Sequence, residues 1–105
     1  MYSEVFSNKD TPKSLEKRIE AYKTLHGECL AFLVGTIAIN EDDETHIIRA
    51  VRFRIRTIGR KWIHGSYVSF GIIHFAKAYL PVTRPDLYSQ DASLKFEIYS
   101  EDDAL

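Results

Sequence analysis

The chain has little cysteine, no excess of charge and no long apolar run. Its 105 residues include one cysteine, which cannot close an internal disulfide and fits a reducing compartment. Fourteen Lys and Arg residues balance fifteen Asp and Glu residues, so attraction of the whole molecule to nucleic acid or anionic lipid is not expected. A membrane-spanning helix needs about 20 apolar residues, and no run approaches that length. We expect a cytoplasmic protein, in a cell or a host cell, with no transmembrane segment.

The motifs that identify a reaction are absent as well. The sequence contains no P-loop, no dinucleotide-binding glycine pattern and no nucleophile elbow. Its four histidines lack the paired spacing of zinc ligands, and a single cysteine cannot anchor a zinc site. We therefore expect no cofactor and no metal. Binding is favoured over catalysis, although the sequence leaves enzymatic activity open.

The composition is that of one folded domain. Hydrophobic residues make up 45% of the chain and charged residues 28%, which is typical of globular proteins. The length predicts a single domain over residues 1–105. Within it, the mixed and polar residues 1–10 predict a flexible arm, and residues 100–105 predict an acidic tail.

An amphipathic helix is predicted near the N-terminus. The residues Asp10-Thr11-Pro12 are typical of a helix start, and Gly27 is typical of a helix end. Between them, apolar side chains recur at helical spacing. The members of this stripe are Leu15, Ile19, Tyr22 and Leu25. The pattern predicts a helix over residues 12–26.

An alternation of period two follows the helix and predicts strands. The first predicted strand begins at Glu28, and the later ones cover 47–57, 62–70, 72–80 and 93–99. Residues 72–80 either continue the third strand or form a fourth. The sequence therefore predicts an α+β fold, with the N-terminal amphipathic helix packed on a 4- to 5-stranded antiparallel meander sheet. A strongly bent sheet of this kind would be an open α+β roll.

The turns predict which side chains share a face of the sheet. A two-residue turn at 42–43 would put Phe53 opposite Phe32, and a turn at 59–60 would put it opposite Ser66. The helix stripe would then cover the face that carries Phe53. The opposite face is predicted to hold Arg52, Arg54, Arg56, Tyr67, Ile63 and Leu33.

This opposite face is the predicted interaction surface. Arginine and tyrosine among aliphatic side chains are typical of interface hot spots, and apolar side chains on an outer face suggest a partner. We interpret the protein as a non-catalytic interaction or assembly module, most simply a homo-oligomer, with another protein as the alternative partner. Small viral matrix or accessory proteins are one class that works in this way. Coverage of the face by the arm and by residues 81–92 would account for the same apolar residues.

Two other hypotheses remain open. A pocket between the helix and the sheet is predicted to be lined by Tyr22, His64, Ser66 and Trp62. A small molecule could bind there, and His64 could act as a general base, although a lone core histidine is more often structural. The third hypothesis is a single-stranded RNA binder that uses the three arginines and Tyr67. The balanced charge and the lack of an RNP motif do not favour nucleic acid.

Overall fold

The computed structural model describes residues 2–6, 11–88 and 94–104, and the side chains of 11–88 and 94–102. In chain order the elements are β1 (Tyr2–Phe6), α1 (Pro12–His26), β2 (Cys29–Glu41), β3 (Glu44–Ile58), β4 (Trp62–Ser69), β5 (Ile72–Tyr79), a 3-10 helix (Pro85–Leu87), β6 (Leu94–Ser100) and a second 3-10 helix (Glu101–Ala104). The predicted α+β fold is confirmed: the helix precedes β2 to β6 and packs on an antiparallel sheet.

Helix α1 starts and ends where the sequence predicts. The Thr11 side chain accepts a hydrogen bond from the backbone N–H of Ser14, and the Ser14 hydroxyl accepts one from the backbone N–H of Thr11. This reciprocal capping box satisfies two N–H groups that the first turn leaves without partners. Leu15 is fully buried, with Ile19 and Tyr22 packed against the same core. Leu25 differs from the prediction, because on the last turn it is 79% exposed.

The described strands form one antiparallel sheet in the order β1-β6-β2-β3-β4-β5. The meander from β2 to β5 is as predicted, and residues 72–79 form a separate strand. Residues 2–6, which the sequence analysis assigned to a flexible arm, instead pair with β6. A free edge of β6 accepts this short segment, which contains aromatic and β-branched residues that favour strands. Residues 7–10 of the predicted arm lie outside the described residues.

The sheet curls because β2 changes its partner along its length. The first half of β2 pairs with β6 as far as Gly35, and its last part pairs with β5 at Ala38–Asn40. Gly35 has a φ of 137°, a conformation that favours glycine, at this change of partner. The Tyr88 hydroxyl accepts a hydrogen bond from the backbone N–H of Ala38 and donates one to the carbonyl of Tyr79. This contact joins β2 to β5.

The predicted register between β2 and β3 is wrong by one residue. The two-residue turn at 42–43 is present, since both aspartates have positive φ values and the strands meet at this turn. Further along, β3 contains one more residue than β2, and Ala50 lies in this bulge with a φ of 55°. Phe53 therefore pairs with Leu33 and Arg54 pairs with Phe32. A slip of one residue exchanges the two faces of a strand.

The register between β3 and β4 is shifted as well. Arg54, not Phe53, pairs with Ser66, and a second irregularity lies between Ile55 and Thr57. The buried core consequently lies on the face opposite to Arg54. Its members are Leu15, Ala31, Leu33, Ile37, Ile39, Phe53, Ile63, Tyr67, Ala78, Leu80, Leu94, Phe96 and Ile98. We call this face of the sheet the inner face and the opposite one the outer face.

Candidate interaction surface

The residues of the predicted interaction surface lie on both faces of the sheet. Arg52, Arg54 and Arg56 are exposed, and we call them the arginine row. The other three, Leu33, Ile63 and Tyr67, are buried in the core. The cause is the bulge at Ala50 and the shift near Arg56, which the alternation of residue types did not reveal.

Of the four residues of the predicted pocket, the structure brings together only Trp62 and His64. Tyr22 packs against the core from α1, and its ring lies 4.4 Å from that of His26. Trp62 contacts the rings of His64 and Tyr79 edge-on. Ser66 and His64 line two different grooves.

The exposed apolar surface of the molecule concentrates in the hairpin formed by β4 and β5. Its members, which we call the apolar hairpin, are Val68 (63% exposed), Phe70 (101%), Ile72 (61%), Ile73 (59%) and Phe75 (67%). Both residues of the hairpin turn have positive φ, 51° at Phe70 and 75° at Gly71. This conformation suits Gly71 but is unfavourable for Phe70. A fully exposed phenylalanine in a left-handed conformation does not stabilise the fold in which it sits.

The apolar hairpin also carries a free strand edge. β5 pairs with β4 along its whole length, whereas β2 covers the other edge only at Lys77, Ala78 and Tyr79. Ile72–Ala76 thus have no partner on that edge among the described strands. Unpaired N–H and C=O groups on an apolar edge are a template for a further strand.

Two members of the arginine row, Arg52 and Arg56, lie over aromatic rings on the outer face. The guanidinium of Arg52 lies 3.9 Å from the ring centroid of Phe32 and 4.6 Å from that of Tyr99. The carboxylate of Glu97 lies 4.0 Å from the same guanidinium. Arg56 lies 5.6 Å from the ring centroid of Phe75, which belongs to the apolar hairpin. The arginine row and the apolar hairpin therefore form one continuous surface.

A cluster on the inner face ties the apolar hairpin to the end of β2. The Tyr67 hydroxyl donates a hydrogen bond of 2.7 Å to Glu41, and Nδ1 of His74 lies 3.3 Å from the other carboxylate oxygen. The Tyr67 and His74 rings are stacked 5.0 Å apart. The hydrogen bond from Tyr67 lowers the pKa of Glu41 below its ordinary range. Burial, together with the bond to Glu41, raises the pKa of Tyr67 to about 12.

A groove of about 740 Å³ separates α1 from the C-terminal half of β3, and we call it the α1–β3 groove. Its helix side carries Glu16, Ile19, Glu20 and Lys23, and its strand side carries Leu30, Ala31, Arg54, Ile55, Arg56 and Ser66. Cys29 also borders it, and burial raises the pKa of the Cys29 thiol. A raised pKa disfavours the thiolate, so Cys29 is a poor nucleophile.

The comparisons with family models, curated proteins and solved structures found no match for this chain. Across residues 2–6, 11–88 and 94–104, no group of three or more His, Cys, Asp or Glu side chains has an arrangement that would hold a metal ion. Within the same described residues, no helix is both long enough and apolar enough to cross a membrane.

Proposed function

We propose that this protein is a non-catalytic interaction and assembly module that self-associates through the apolar hairpin and the arginine row. The observation that carries the proposal is the exposure of five large apolar side chains between Val68 and Phe75. Contiguous apolar patches of this kind mark interaction sites, because their exposure to water is unfavourable. The apolar side chains and adjoining arginines also match the composition of interface hot spots.

A second copy of the chain is the partner that the strand edge favours. Two copies of Ile72–Ala76 can pair antiparallel about a two-fold axis, since each offers the same free edge. A pairing centred on His74 would bring Ile73 of each copy opposite Phe75 of the other. Both side chains lie on the outer face, so the pair would remove four apolar side chains from water.

The charges of the chain are compatible with self-association. The arginine row is exposed, and so are the three acidic residues Asp42, Asp43 and Glu44 at the β2–β3 turn. Two copies thus offer each other both signs of charge, and a net charge of −1 produces little repulsion between them. An anionic membrane surface is a poorer partner, because Asp42 and Asp43 share a groove with Phe75 of the apolar hairpin.

Light scattering across a concentration series tests the proposal. We expect an oligomer for the wild type and a folded monomer for Phe70→Ser combined with Ile73→Ser. Arg54→Glu should weaken the oligomer, because it reverses a charge in the arginine row that adjoins the apolar hairpin. The matched control is Leu25→Ser, which removes an equally exposed apolar side chain from α1 and should leave the mass unchanged. A wild type that stays monomeric at every concentration overturns the proposal.

Single-stranded RNA is the second candidate partner, because the arginine row shares the outer face with the exposed ring of Phe75. Cations beside an aromatic ring suit the phosphates and bases of a single strand. Tyr67, which the sequence analysis included, lies in the core instead. Labelled oligouridine should bind at low salt and dissociate as salt rises, and no binding at low salt excludes this candidate.

The cytoplasmic location, and a role like that of viral matrix or accessory proteins, stay predictions.

A further inference from the structure

Strands β2 and β3 separate at one end of the sheet. Their ladder ends at the pair Phe32–Arg54. Beyond it, Cys29–Ala31 pair with β6, and Ile55–Ile58 pair with β4. Among the described strands, nothing pairs with the edges that these two stretches turn towards each other. The α1–β3 groove lies between them.

The lining of the groove shows that it is a gap between strands and not a hollow on one face. Leu30, Arg54 and Ser66 belong to the outer face, whereas Ala31 and Ile55 belong to the inner face, and all five line the groove. Side chains of both faces can meet in one cavity only where the sheet is open. Helix α1 borders the opening.

We propose that the α1–β3 groove binds an extended peptide segment of another protein, which adds a strand between β2 and β3. Strand addition supplies partners for the backbone groups of both free edges, and alternate side chains give the specificity. At about 3.3 Å per residue, the free stretches Cys29–Ala31 and Ile55–Ile58 accommodate a strand of about four residues. This binding mode goes beyond self-association, and it shares with the proposed self-association surface the residues Arg54, Arg56 and Phe75 at the border of the groove.

The charges of the groove indicate the chemistry of the peptide. Side chains that point to the outer face would meet Arg54 and Arg56, which favours acidic residues at alternate positions. Side chains that point inward would meet Ala31, Ile55 and, from α1, Ile19, which favours apolar residues. Glu16 and Glu20 on α1 outnumber Lys23, and Glu101 also borders the groove. These carboxylates would repel acidic side chains of the peptide, which are therefore expected beside Arg54 and Arg56 on the strand side. The ligand is therefore a short segment in which acidic and apolar residues alternate.

Titration with three blocked heptapeptides, followed by amide NMR shifts, tests the proposal. The first alternates glutamate and valine, the second has lysine for each glutamate, and the third has proline for the central valine. We expect the first to bind at the groove and to protect amides of Ile55–Ile58 from hydrogen exchange. The lysine and proline peptides should bind at least about tenfold more weakly, because one reverses the charges and the other cannot pair.

A charge reversal in the protein sharpens the test. Arg56→Glu should reduce the preference for the glutamate peptide over the lysine peptide by about tenfold or more. Lys61→Glu makes the same change of charge at an exposed residue near the turn between β3 and β4, and should leave the preference unaltered. The proposal is overturned if no peptide saturates the groove, if the proline peptide binds as well as the first, or if the shifts map to Phe70 and Ile72 at the turn of the apolar hairpin, which do not border the groove. The monomeric hairpin variant should still bind the peptide, which separates this proposal from self-association.

Discussion

Phenylalanine side chains are buried at one end of the sheet and exposed at the other. Phe53 and Phe96 are completely buried in the part of the sheet formed by β6, β2 and β3, whereas Phe70 in the apolar hairpin is completely exposed. Helix α1 packs on β2 and β6, and the described elements provide no comparable cover for the hairpin. Apolar alternation thus indicates that a segment forms a strand, but it does not indicate what covers the strand. That depends on elements distant in sequence.

The largest expected difference in stability is between alanine variants of one phenylalanine from each region. Phe53→Ala should lower the free energy of unfolding by about 3–5 kcal/mol, because it leaves a cavity in the core. Phe70→Ala should change the stability of the monomer by no more than about 0.5 kcal/mol, because its side chain makes no core contact. Urea unfolding at low protein concentration measures both. Similar losses for the two variants would show that the hairpin is part of the core.

Alanine substitutions of one glycine from each region should give the next largest difference in stability. A Cβ at Gly65 would lie 1.9 Å from the carbonyl oxygen of Arg54 and 2.7 Å from a ring carbon of Phe53. Gly65→Ala should therefore cost about 1–3 kcal/mol, since the strands must separate. Gly71→Ala meets no atom within 4 Å, and its cost of about 1 kcal/mol arises from the positive φ alone. Urea unfolding again provides the measurement, and a larger loss at Gly71 would contradict the register of β3 and β4.

Replacing Phe70 by asparagine should separate stability from association. Asparagine adopts a positive φ more readily, and Asn-Gly is the preferred pair for such a turn. Phe70→Asn should raise the free energy of unfolding of the monomer by about 0.5–1 kcal/mol. The same change should shift light scattering towards the monomer, because the exposed ring is lost. A variant that is both less stable and equally associated would refute the role assigned to Phe70.

The smallest effect concerns the cluster that joins the hairpin to the rest of the sheet. Glu41 has a lowered pKa, so its stabilisation is present above the ordinary carboxyl pKa and is lost as pH falls through the lower value of the folded state. Between about pH 5 and pH 3, the wild type should lose more stability than Glu41→Gln, whose side chain carries no charge. Unfolding curves at several pH values measure this difference. Parallel curves would show that the charge of Glu41 does not stabilise the fold.

Local signals in the sequence were enough to predict the helix and the first strand turn. The cap at Thr11, Pro12 at the start of α1 and the aspartates at 42–43 act through their own backbone and nearest neighbours. The α+β fold and the antiparallel meander followed from the change of period after Gly27. These features depend on residues that are close together in the chain, and the structure confirms them.

The faces of the sheet could not be predicted in the same way. The bulge at Ala50 is marked by neither glycine nor proline, and it lies opposite the stretch of β2 next to Gly35. This one extra residue moved Leu33 from the predicted outer face to the core, and the separate shift between β3 and β4 did the same to Tyr67. Gly35 is the one local sign of the bend, because its conformation favours glycine.

The candidate surface was predicted only in part, for a related reason. The arginine row was identified from its alternation, which the local register preserves. The exposure of Ile73 and Phe75 depends on how far β2 extends along β5, and this pairing ends at Lys77. Contacts of such long sequence separation leave no trace in the pattern of a single segment.

The position of β1 has a consequence for the synthesis of the protein. β1 is paired only with β6 among the described strands, and Tyr2 lies opposite Ile98. On the ribosome, β2 to β5 can form successive hairpins as they emerge, whereas β1 must wait until β6 has been translated. During that interval residues 2–6 remain available to chaperones or to a neighbouring nascent chain. β1 therefore joins the sheet only after β6 is available to pair with it.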